Sequence, residues 1–386
     1  MVTNLKNIIN NLEGELTMCY KMFHQYPEVS NKEFETTRKI KELLEAVDIE
    51  VLDLPLRTGL IAKIEGKTKE PVIALRCDID ALEVNEETEL EFSSKNNGVM
   101  HACGHDFHIT TILGAAYLIK QNQDKLNGTV KFIFQPAEET GHGAEEVIKT
   151  GVLEDVKAIY GIHNSRSLKV GEVAVDVAPP TAAVDRFEIK VKGVGTHGAH
   201  PEEGVDPIVI SSYIVTALQT IVSRNLSAFD SALISVTNIH SGTTWNVIPE
   251  DAYIEGTVRT LKKETRKLIP QKMESISKGI ATSFGGDVEF IWHQGPPATN
   301  NHPKWIKVAQ NVAKENSLNI VDLPPSLGGE DFAYYQEFIE GAFINIGTGE
   351  SYPNHHPKFT IDTSVILPSA KYFADIAFKT LDNLGI

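Results

Sequence analysis

Hydrophobic positions recur at helical spacing over the first 25 residues, which predicts an amphipathic helix that ends before Pro27. A second helix is predicted from Asn31, as its N-cap, to Ala46. Short apolar runs rich in β-branched residues then alternate with helical patterns. The predicted strands are 50–54, 60–64, 72–75, 130–134 and 158–162, and the predicted helices are 106–121 and 144–150. This alternation is typical of an α/β layer with a largely parallel sheet.

The pattern changes in the middle of the chain, where the predicted order is βαββαβ, a split ferredoxin-like unit. Its strands are 186–191, 233–239, 253–258 and 288–292, and its helices are 207–223 and 262–284. Pro179-Pro180 precedes this block and Gly295-Pro296-Pro297 follows it, and both read as linkers. We therefore expect one domain built from 1–180 and 295–386 and an inserted domain at 181–294. Three sequential domains are the alternative, disfavoured because the C-terminal piece alone is small.

Charge and composition exclude several classes of partner. The 386 residues carry 36 Lys and Arg against 52 Asp and Glu, a net charge of −16 that offers no basic footprint for nucleic acid. No apolar run is long enough to span a membrane. From the charge and the absence of such a run, we expect neither nucleic acid nor a membrane as a partner. Three cysteines do not indicate a disulfide framework, and the polar start lacks the apolar core of a secretory signal. We expect a cytoplasmic location.

The segment 100–108 is the strongest local signal for chemistry. It contains three His, one Cys and one Asp within nine positions. Cys103 and His105 are two residues apart, so in an extended segment their side chains share a face. Thiolate and imidazole together indicate a transition-metal site. The alternative, a helix start with a buried Cys and solvated His, explains this density of ligand types less well.

Acidic residues follow two of the predicted strands. Glu138 and Glu139 come after 130–134, while Asp78 and Asp80 come after 72–75. One carboxylate of an adjacent pair could ligate a metal while the other acts as a general base on water. An aspartate at a strand end could orient a ligating imidazole. A solvated acidic pair and a turn-forming acidic loop remain the structural alternatives for each cluster taken alone.

Further histidines stand at a strand end and in a loop. His163 ends the run 158–162, and His355 and His356 precede Pro357. A lone histidine such as His163 is more often an ordinary polar residue than a ligand, and the loop pair taken alone is ambiguous. The combined set of candidate ligands is Cys103, His105, Glu139, His163 and one of His355 and His356. About five ligands approach what two metal ions with shared bridges require.

Other motifs are excluded by their context. Gly193 to Gly198 matches G-x-G-x-x-G, but Pro201 and Pro207 interrupt the helix that a dinucleotide site needs. Neither a G-x-S-x-G elbow nor a phosphate-binding P-loop occurs in the sequence. A Cys103–His105 nucleophilic pair is disfavoured, because residues two apart seldom reach each other well.

Nine segments in order along the chain carry a family resemblance. They are 76–82, 100–108, 135–139, 161–163, 195–201, 245–249, 255–260, 328–332 and 355–359. Together they resemble the co-catalytic metal amidohydrolases related to aminoacylase and bacterial dinuclear carboxypeptidases. The branch of hippurate hydrolase, N-acyl-amino-acid deacetylases and plant auxin-conjugate hydrolases is the most similar. Two positions depart from the family pattern: Glu83 stands where proline is usual, and Glu202 where histidine is common.

The resemblance implies a dinuclear-metal aminopeptidase/carboxypeptidase-like α/β catalytic domain with an inserted ferredoxin-like (βαββαβ) lid and dimerisation domain. The implied metal ligands are Cys103, His105, Glu139, His163 and, by its spacing from the following proline, His355. Glu138 would be the general base and Asp80 the acid that orients the site. His197 would donate to the oxyanion, and Asn246 and Arg259 would bind the substrate carboxylate.

The implied activity is hydrolysis of the amide bond of small-molecule N-acyl amino acids. It would use two divalent metal ions, Zn²⁺ or Mn²⁺, with Co²⁺ or Ni²⁺ as further options. A homodimer or higher homo-oligomer would form through the inserted domain. A dipeptidase or carboxypeptidase of the same family, or a non-catalytic metal-binding descendant, are the alternatives.

Overall fold

The computed structural model describes residues 5–177 and 180–385, so Pro179 of the first predicted linker lies outside the described residues. The chain divides into two compact units. The first comprises Met1–Pro180, Asn300–Pro324 and Asp331–Ile386, and the second comprises Thr181–Thr299 and Pro325–Glu330. The second unit thus runs five residues beyond the predicted end of the insertion at 294 and takes in a short later segment.

Strands and helices alternate along the chain. The strands are β1 (Glu50–Val51), β2 (Leu60–Glu65), β3 (Val72–Asp78), β4 (Thr129–Gln135), β5 (Val156–Ser165), β6 (Glu172–Ala174), β7 (Ala183–Lys192), β8 (Thr196–His197), β9 (Ala232–Ser241), β10 (Val247–Ile248), β11 (Asp251–Thr260), β12 (Asp287–Gln294), β13 (Asn319–Ile320) and β14 (Gly341–Gly347). The helices are α1 (Leu5–Asn10), α2 (Leu12–Gln25), α3 (Phe34–Glu45), α4 (His105–Gln121), α5 (Gly143–Lys149), α6 (Pro207–Thr220), α7 (Lys263–Ser283), α8 (Pro303–Glu315), α9 (Phe332–Tyr335) and α10 (Ile366–Leu384).

The first unit is built on an eight-stranded sheet in the order β1-β2-β4-β3-β5-β14-β6-β13. Its centre, β4-β3-β5-β14, is parallel, but β1, β2 and β6 each form an antiparallel pair. The sheet is therefore mixed rather than largely parallel throughout. The connection from β1 to β2 contains no crossover helix, and a parallel pair requires one.

Helices cover both faces of this sheet. Residues of α2, α4, α8 and α10 form one apolar core with one face, and residues of α5 and α9 form another core with the opposite face. Every residue of β3 and β4 is consequently buried, as expected for central strands of an α/β layer. Within the described residues, none of the helices is long and apolar enough to cross a membrane.

The second unit contains an antiparallel sheet in the order β12-β7-β11-β9. Residues of α6 and α7 pack on this sheet and form its core. The main elements follow the predicted βαββαβ order, and the two-residue strands β8 and β10 add a separate antiparallel pair.

Two predicted helix bounds were wrong near the N-terminus. The first predicted helix is divided at Asn11 into α1 and α2. The helix predicted from Asn31 begins only at Phe34, because Asn31 adopts a left-handed φ of 65° and ends a turn instead of capping a helix.

Candidate active site

The candidate site of the first unit lies where its parallel strands end. Asp78 ends β3 and is in register with Gln135, the last residue of β4. His163 lies near the end of β5, which is parallel to both β3 and β14. Since the carboxyl ends of parallel strands share one edge of a sheet, the loops after β3 and β4 bring Asp80 and Glu139 to the same place.

A glycine turn carries two further side chains into this edge. Gly104 has a left-handed φ of 83° immediately before α4, with Cys103 on one side and His105 on the other. A Cβ atom at Gly104 would lie 2.6 Å from Nδ2 of Asn164. Only glycine fits both the backbone conformation and this close approach.

The five predicted ligands meet in overlapping groups of donor atoms. Three such groups have all their donor atoms within 4.8 Å of one another; they are Cys103–His105–His163, Cys103–Glu139–His355 and His105–Glu138–Glu139. Sγ of Cys103 lies 3.6 Å from Nε2 of His163, and Nε2 of His355 lies 3.3 Å from Oε1 of Glu139. The geometry therefore brings Glu138 together with all five predicted ligands.

Two buried atoms in this cluster indicate a cation. Nε2 of His105 and Oε1 of Glu139 are buried without a hydrogen bond of regular geometry within the described part of the chain, and Nε2 of His355 faces Oε1 of Glu139 at 3.3 Å. Buried polar atoms nearly always have a partner. Sulfur, imidazole nitrogen and carboxylate oxygen are all ligands of Zn²⁺ and related divalent ions, so the donor set fits a transition-metal site.

Asp80 orients the groups around it. Its Oδ1 lies 3.2 Å from Nδ1 of His105, which places the ring proton on Nδ1 and leaves the Nε2 lone pair for a metal. Its Oδ2 accepts hydrogen bonds from the backbone N–H of Glu139 at 3.0 Å and from Oγ of Ser30 at 2.6 Å. One buried carboxylate thus fixes two neighbouring ligand residues.

The electrostatics of the cluster favour the thiolate form of Cys103. Burial by itself would raise the pKa of Cys103, but its interactions with the rings of His105, His163 and His355 hold that pKa well below its usual value. Interactions with Cys103 and Glu139 raise the pKa of His355 to about 10. A thiolate is the form of cysteine that binds metals, and the negative charge around it attracts either protons or a metal ion.

The two loop histidines differ in their surroundings. His355 adopts a left-handed φ of 68°, donates its backbone N–H to the carbonyl of Ala102 at 2.8 Å and directs its ring to Glu139. The ring of His356 instead stacks on that of Tyr352 at a centroid distance of 4.5 Å. The geometry therefore selects His355 as the candidate ligand of this pair.

The three remaining predicted residues belong to the second unit. His197 ends β8 opposite Val247, and the carbonyl of Asn246 accepts the backbone N–H of Gly198 at 2.9 Å. His197 and Asn246 are therefore neighbours across this short pair of strands. Arg259 lies on β11, and its guanidinium makes no hydrogen bond or ion pair with any residue that the structure describes. Partial burial lowers its pKa.

His108 and Asn164 also belong to the site, although sequence reasoning assigned them no role. Nδ1 of His108 lies 2.6 Å from Oδ1 of Asp78, and its Nε2 accepts the backbone N–H of Asn164 at 2.9 Å. The side-chain amide N–H of Asn164 donates to the backbone carbonyl of Cys103, and the backbone carbonyl of Asn164 accepts from Nδ1 of His163. The spacing of His108, three residues after His105 on α4, was the available signal.

Comparisons with known proteins agree on one family. The chain matches Peptidase family M20/M25/M40 over residues 74–379. It is 46% identical over 362 residues to N-acetylcysteine deacetylase of Bacillus subtilis, covering 94% of this chain and 95% of that protein. It is 38% identical to thermostable carboxypeptidase 1 of Saccharolobus solfataricus, with 98% of each chain covered. A crystal structure of a dinuclear metal binding peptidase from Bacillus subtilis aligns with a TM-score of 0.88 at 43% identity, over 97% of this chain and 99% of that one.

Proposed function

The chain belongs to Peptidase family M20/M25/M40, and from this premise we propose that it is a metal-dependent amidohydrolase that cleaves N-acyl amino acids into a carboxylic acid and a free amino acid. The observation that supports this most is the convergence of the donor atoms of Cys103, His105, Glu139, His163 and His355, with the carboxylate of Glu138 beside them. Among the relatives, N-acetylcysteine deacetylase of Bacillus subtilis supports an N-acetyl amino acid as the substrate.

The proposed cofactor is a pair of divalent metal ions, Zn²⁺ or Mn²⁺, with Co²⁺ or Ni²⁺ as alternatives. His105, His163 and His355 would contribute nitrogen, Cys103 sulfur and Glu139 oxygen. When bound there, the metals would polarise the amide carbonyl and lower the pKa of a water molecule.

Glu138 is the proposed proton carrier. Its carboxylate is grouped with His105 and Glu139, within reach of the atoms that would hold the metals. There it can accept a proton from the attacking water and deliver it to the nitrogen of the leaving amino acid. Asp80 supports this step by holding the backbone of Glu139 and the ring of His105.

We assign the remaining roles to the second unit from the family resemblance. Arg259 would bind the substrate carboxylate, because a guanidinium matches a carboxylate with two parallel hydrogen bonds. The guanidinium of Arg259 has no hydrogen-bond or ion-pair partner among the described residues, which supports this role. Asn246 would bind the same carboxylate and His197 would donate to the oxyanion. Dimerisation through the second unit belongs to the same proposal.

A second candidate function is cleavage of dipeptides or of C-terminal residues. The chain is 38% identical to thermostable carboxypeptidase 1 of Saccharolobus solfataricus, and hydrolysis of a peptide bond needs the same chemistry. Only the acyl side of the substrate differs between the two candidates.

The experiment measures release of free amino acid from N-acetyl, N-benzoyl and N-succinyl amino acids and from dipeptides. Each is tested with chelator and after addition of Zn²⁺, Mn²⁺ or Co²⁺. We expect release from N-acetyl amino acids that stops with chelator and returns with one metal. Faster release from dipeptides would favour the second candidate, and no release by protein that binds two metals would contradict both.

A further inference from the structure

Glu138 stands between two backbone amides that each donate to a buried carboxylate. The N–H of Glu139 donates to Oδ2 of Asp80 at 3.0 Å, and the N–H of Ala137 donates to Oε1 of Glu33 at 2.8 Å. Asp80 has a role in the proposed function, whereas Glu33 has none so far. The residue between the two anchored amides is the proposed proton carrier.

The backbone at Ala137 needs such an anchor. Ala137 has a φ of 53° and a ψ of 38°, in the left-handed region that residues with a Cβ atom rarely adopt. Conformations of this kind persist only where surrounding contacts hold them, and they cluster at functional sites. The hydrogen bond that the N–H of Ala137 donates to Glu33 holds this strained turn immediately before Glu138.

The side chain of Glu33 does not serve as a cap for α3, so helix capping does not explain its burial. Glu33 is at the N-cap position of that helix, yet its side chain makes no capping hydrogen bond. The side chain is fully buried, and its Oε2 accepts a hydrogen bond from Oγ1 of Thr58 at 2.7 Å. Burying a carboxylate is costly unless its hydrogen bonds are satisfied, so the two contacts to Ala137 and Thr58 account for its stability there.

The segment that carries Glu33 also reaches the other anchor. Ser30 donates its hydroxyl to Oδ2 of Asp80 at 2.6 Å, and the carbonyl of Glu28 accepts the N–H of Ala81 at 2.8 Å. Residues 28–33 therefore contact Ala137 at the start of the turn directly, and they contact Asp80, which holds the turn at Glu139. They link the turn after β4 to the loop after β3.

We propose that Glu33 is a positioning residue for Glu138: it fixes the backbone at Ala137 and thereby the direction in which the Glu138 carboxylate points. This inference rests on the proposed function of Glu138. Because Glu139 is anchored separately by Asp80, loss of Glu33 should affect proton transfer more than metal binding.

The test compares Glu33→Met with Thr58→Val. Both substitutions remove a hydrogen bond of the same buried carboxylate, but only the first removes the contact to Ala137. We expect Glu33→Met to lower kcat about 10- to 100-fold, since a displacement near 1 Å can have an effect of that size. KM and the number of bound metal ions should stay as in wild type, and Thr58→Val should keep its kcat. Equal kcat values in the two variants would overturn the proposal.

Glu33→Gln is the conservative control, because its Oε1 still accepts from Ala137 while its amide can donate to Thr58. We expect it to retain kcat to within about threefold, and a loss as large as that of Glu33→Met would overturn the proposal. If Glu33→Met does not fold, Glu33→Asp replaces it. Its carboxylate is one methylene short of Ala137, so kcat should again fall, and an unchanged kcat would overturn the proposal.

Crystal structures of wild type and Glu33→Met test the role of Glu33 without measuring activity. We expect a changed backbone at Ala137 and Glu138 with Glu139 in its original place, and an unchanged turn would overturn the proposal. If wild type releases no amino acid from any substrate, the proposed function fails by itself. If wild type is active but the turn does not move, only the role of Glu33 fails.

Discussion

Nη1 of Arg76 lies 2.8 Å from Oδ2 of Asp78, and both side chains are fully buried. The other oxygen of Asp78 lies 2.6 Å from Nδ1 of His108, while Nη2 of Arg76 pairs with Asp331 at 2.7 Å. These residues form a buried charged network next to the candidate metal site. The positive charge of this network is the guanidinium of Arg76. The network connects the end of β3 to α4 and to the residue before α9.

The first prediction concerns this network. Arg76→Met leaves Asp78 and Asp331 buried without their cation, so we expect the free energy of unfolding to fall by about 3–5 kcal/mol. Denaturant unfolding of metal-free protein measures it. Arg38→Met is the control, because Arg38 pairs with Glu35 and Glu42 on an exposed helix face, where such pairs contribute little. Equal effects of the two substitutions would contradict the account.

The second prediction concerns the glycine before α4. Gly104 has a left-handed φ of 83°, and the new Cβ atom of Gly104→Ala would clash with Asn164. Gly98 has a similar φ of 77°, but the new Cβ atom of Gly98→Ala would lie in open space. Both lose about 1–2 kcal/mol to the backbone conformation. Only Gly104→Ala should also lose bound metal, measured as metal ions per chain. Full metal content in Gly104→Ala would show that the turn does not set the positions of Cys103 and His105.

The third prediction concerns Asp80. Asp80→Asn weakens the contact that orients the ring of His105, so we expect the affinity for Zn²⁺ to fall about 10- to 100-fold. Competition with a chelating dye measures this affinity. Glu83→Gln, a change of the same charge three residues later, serves as the control and should leave the affinity unchanged. An unaltered affinity in Asp80→Asn would remove Asp80 from the support of the site.

The fourth prediction concerns pH. Hydrogen bonds from His24 to Asp106 and Glu86 outweigh its burial and raise its pKa to about 9, above the ordinary 6.5. A raised pKa in the folded state contributes stability below pH 6.5 that is lost as the pH rises through 9. The loss should be on the order of 1–3 kcal/mol. Unfolding free energies of wild type and His24→Gln between pH 6 and 10 should therefore converge at high pH, and parallel curves would contradict this.

Much of the fold followed from the order of short apolar runs and helical patterns. The predicted α/β class and the family resemblance are confirmed by the family match and by the aligned crystal structure. Helix starts near the N-terminus were less predictable. Asn31 adopts its left-handed conformation in the turn closed by Lys32 and Val29, and the neighbouring Ser30 is held by Asp80, 50 positions away. Periodicity carries no such information.

The candidate site was predictable where residues of metal-ligand types cluster locally, as in 100–108. The residues that support the ligands, such as Glu33 and His108, were not predictable from the sequence. Glu33 contacts Ala137 across a sequence separation of 104 residues, and nothing near Glu33 marks it as part of a site. His108 lay inside the clearest motif, but its role depends on Asp78 and on the backbone of Asn164, which only the assembled sheet brings together.

The fifth prediction concerns the proposed proton carrier. Glu138→Gln keeps the size of the side chain and removes its ability to accept a proton, while Cys103, His105, Glu139, His163 and His355 are unchanged. Metal binding and folding should therefore stay as in wild type. His356→Gln, at the loop histidine stacked on Tyr352, is the control and should keep its activity.

The most direct test of the account is the rate of amino-acid release from an N-acetyl amino acid by wild type and Glu138→Gln at equal bound metal. We expect the rate of the variant to be lower by about 100-fold or more, because general base catalysis is lost while the metal ligands remain. A variant that works at the wild-type rate with both metals bound would contradict the central claim that Glu138 carries the proton.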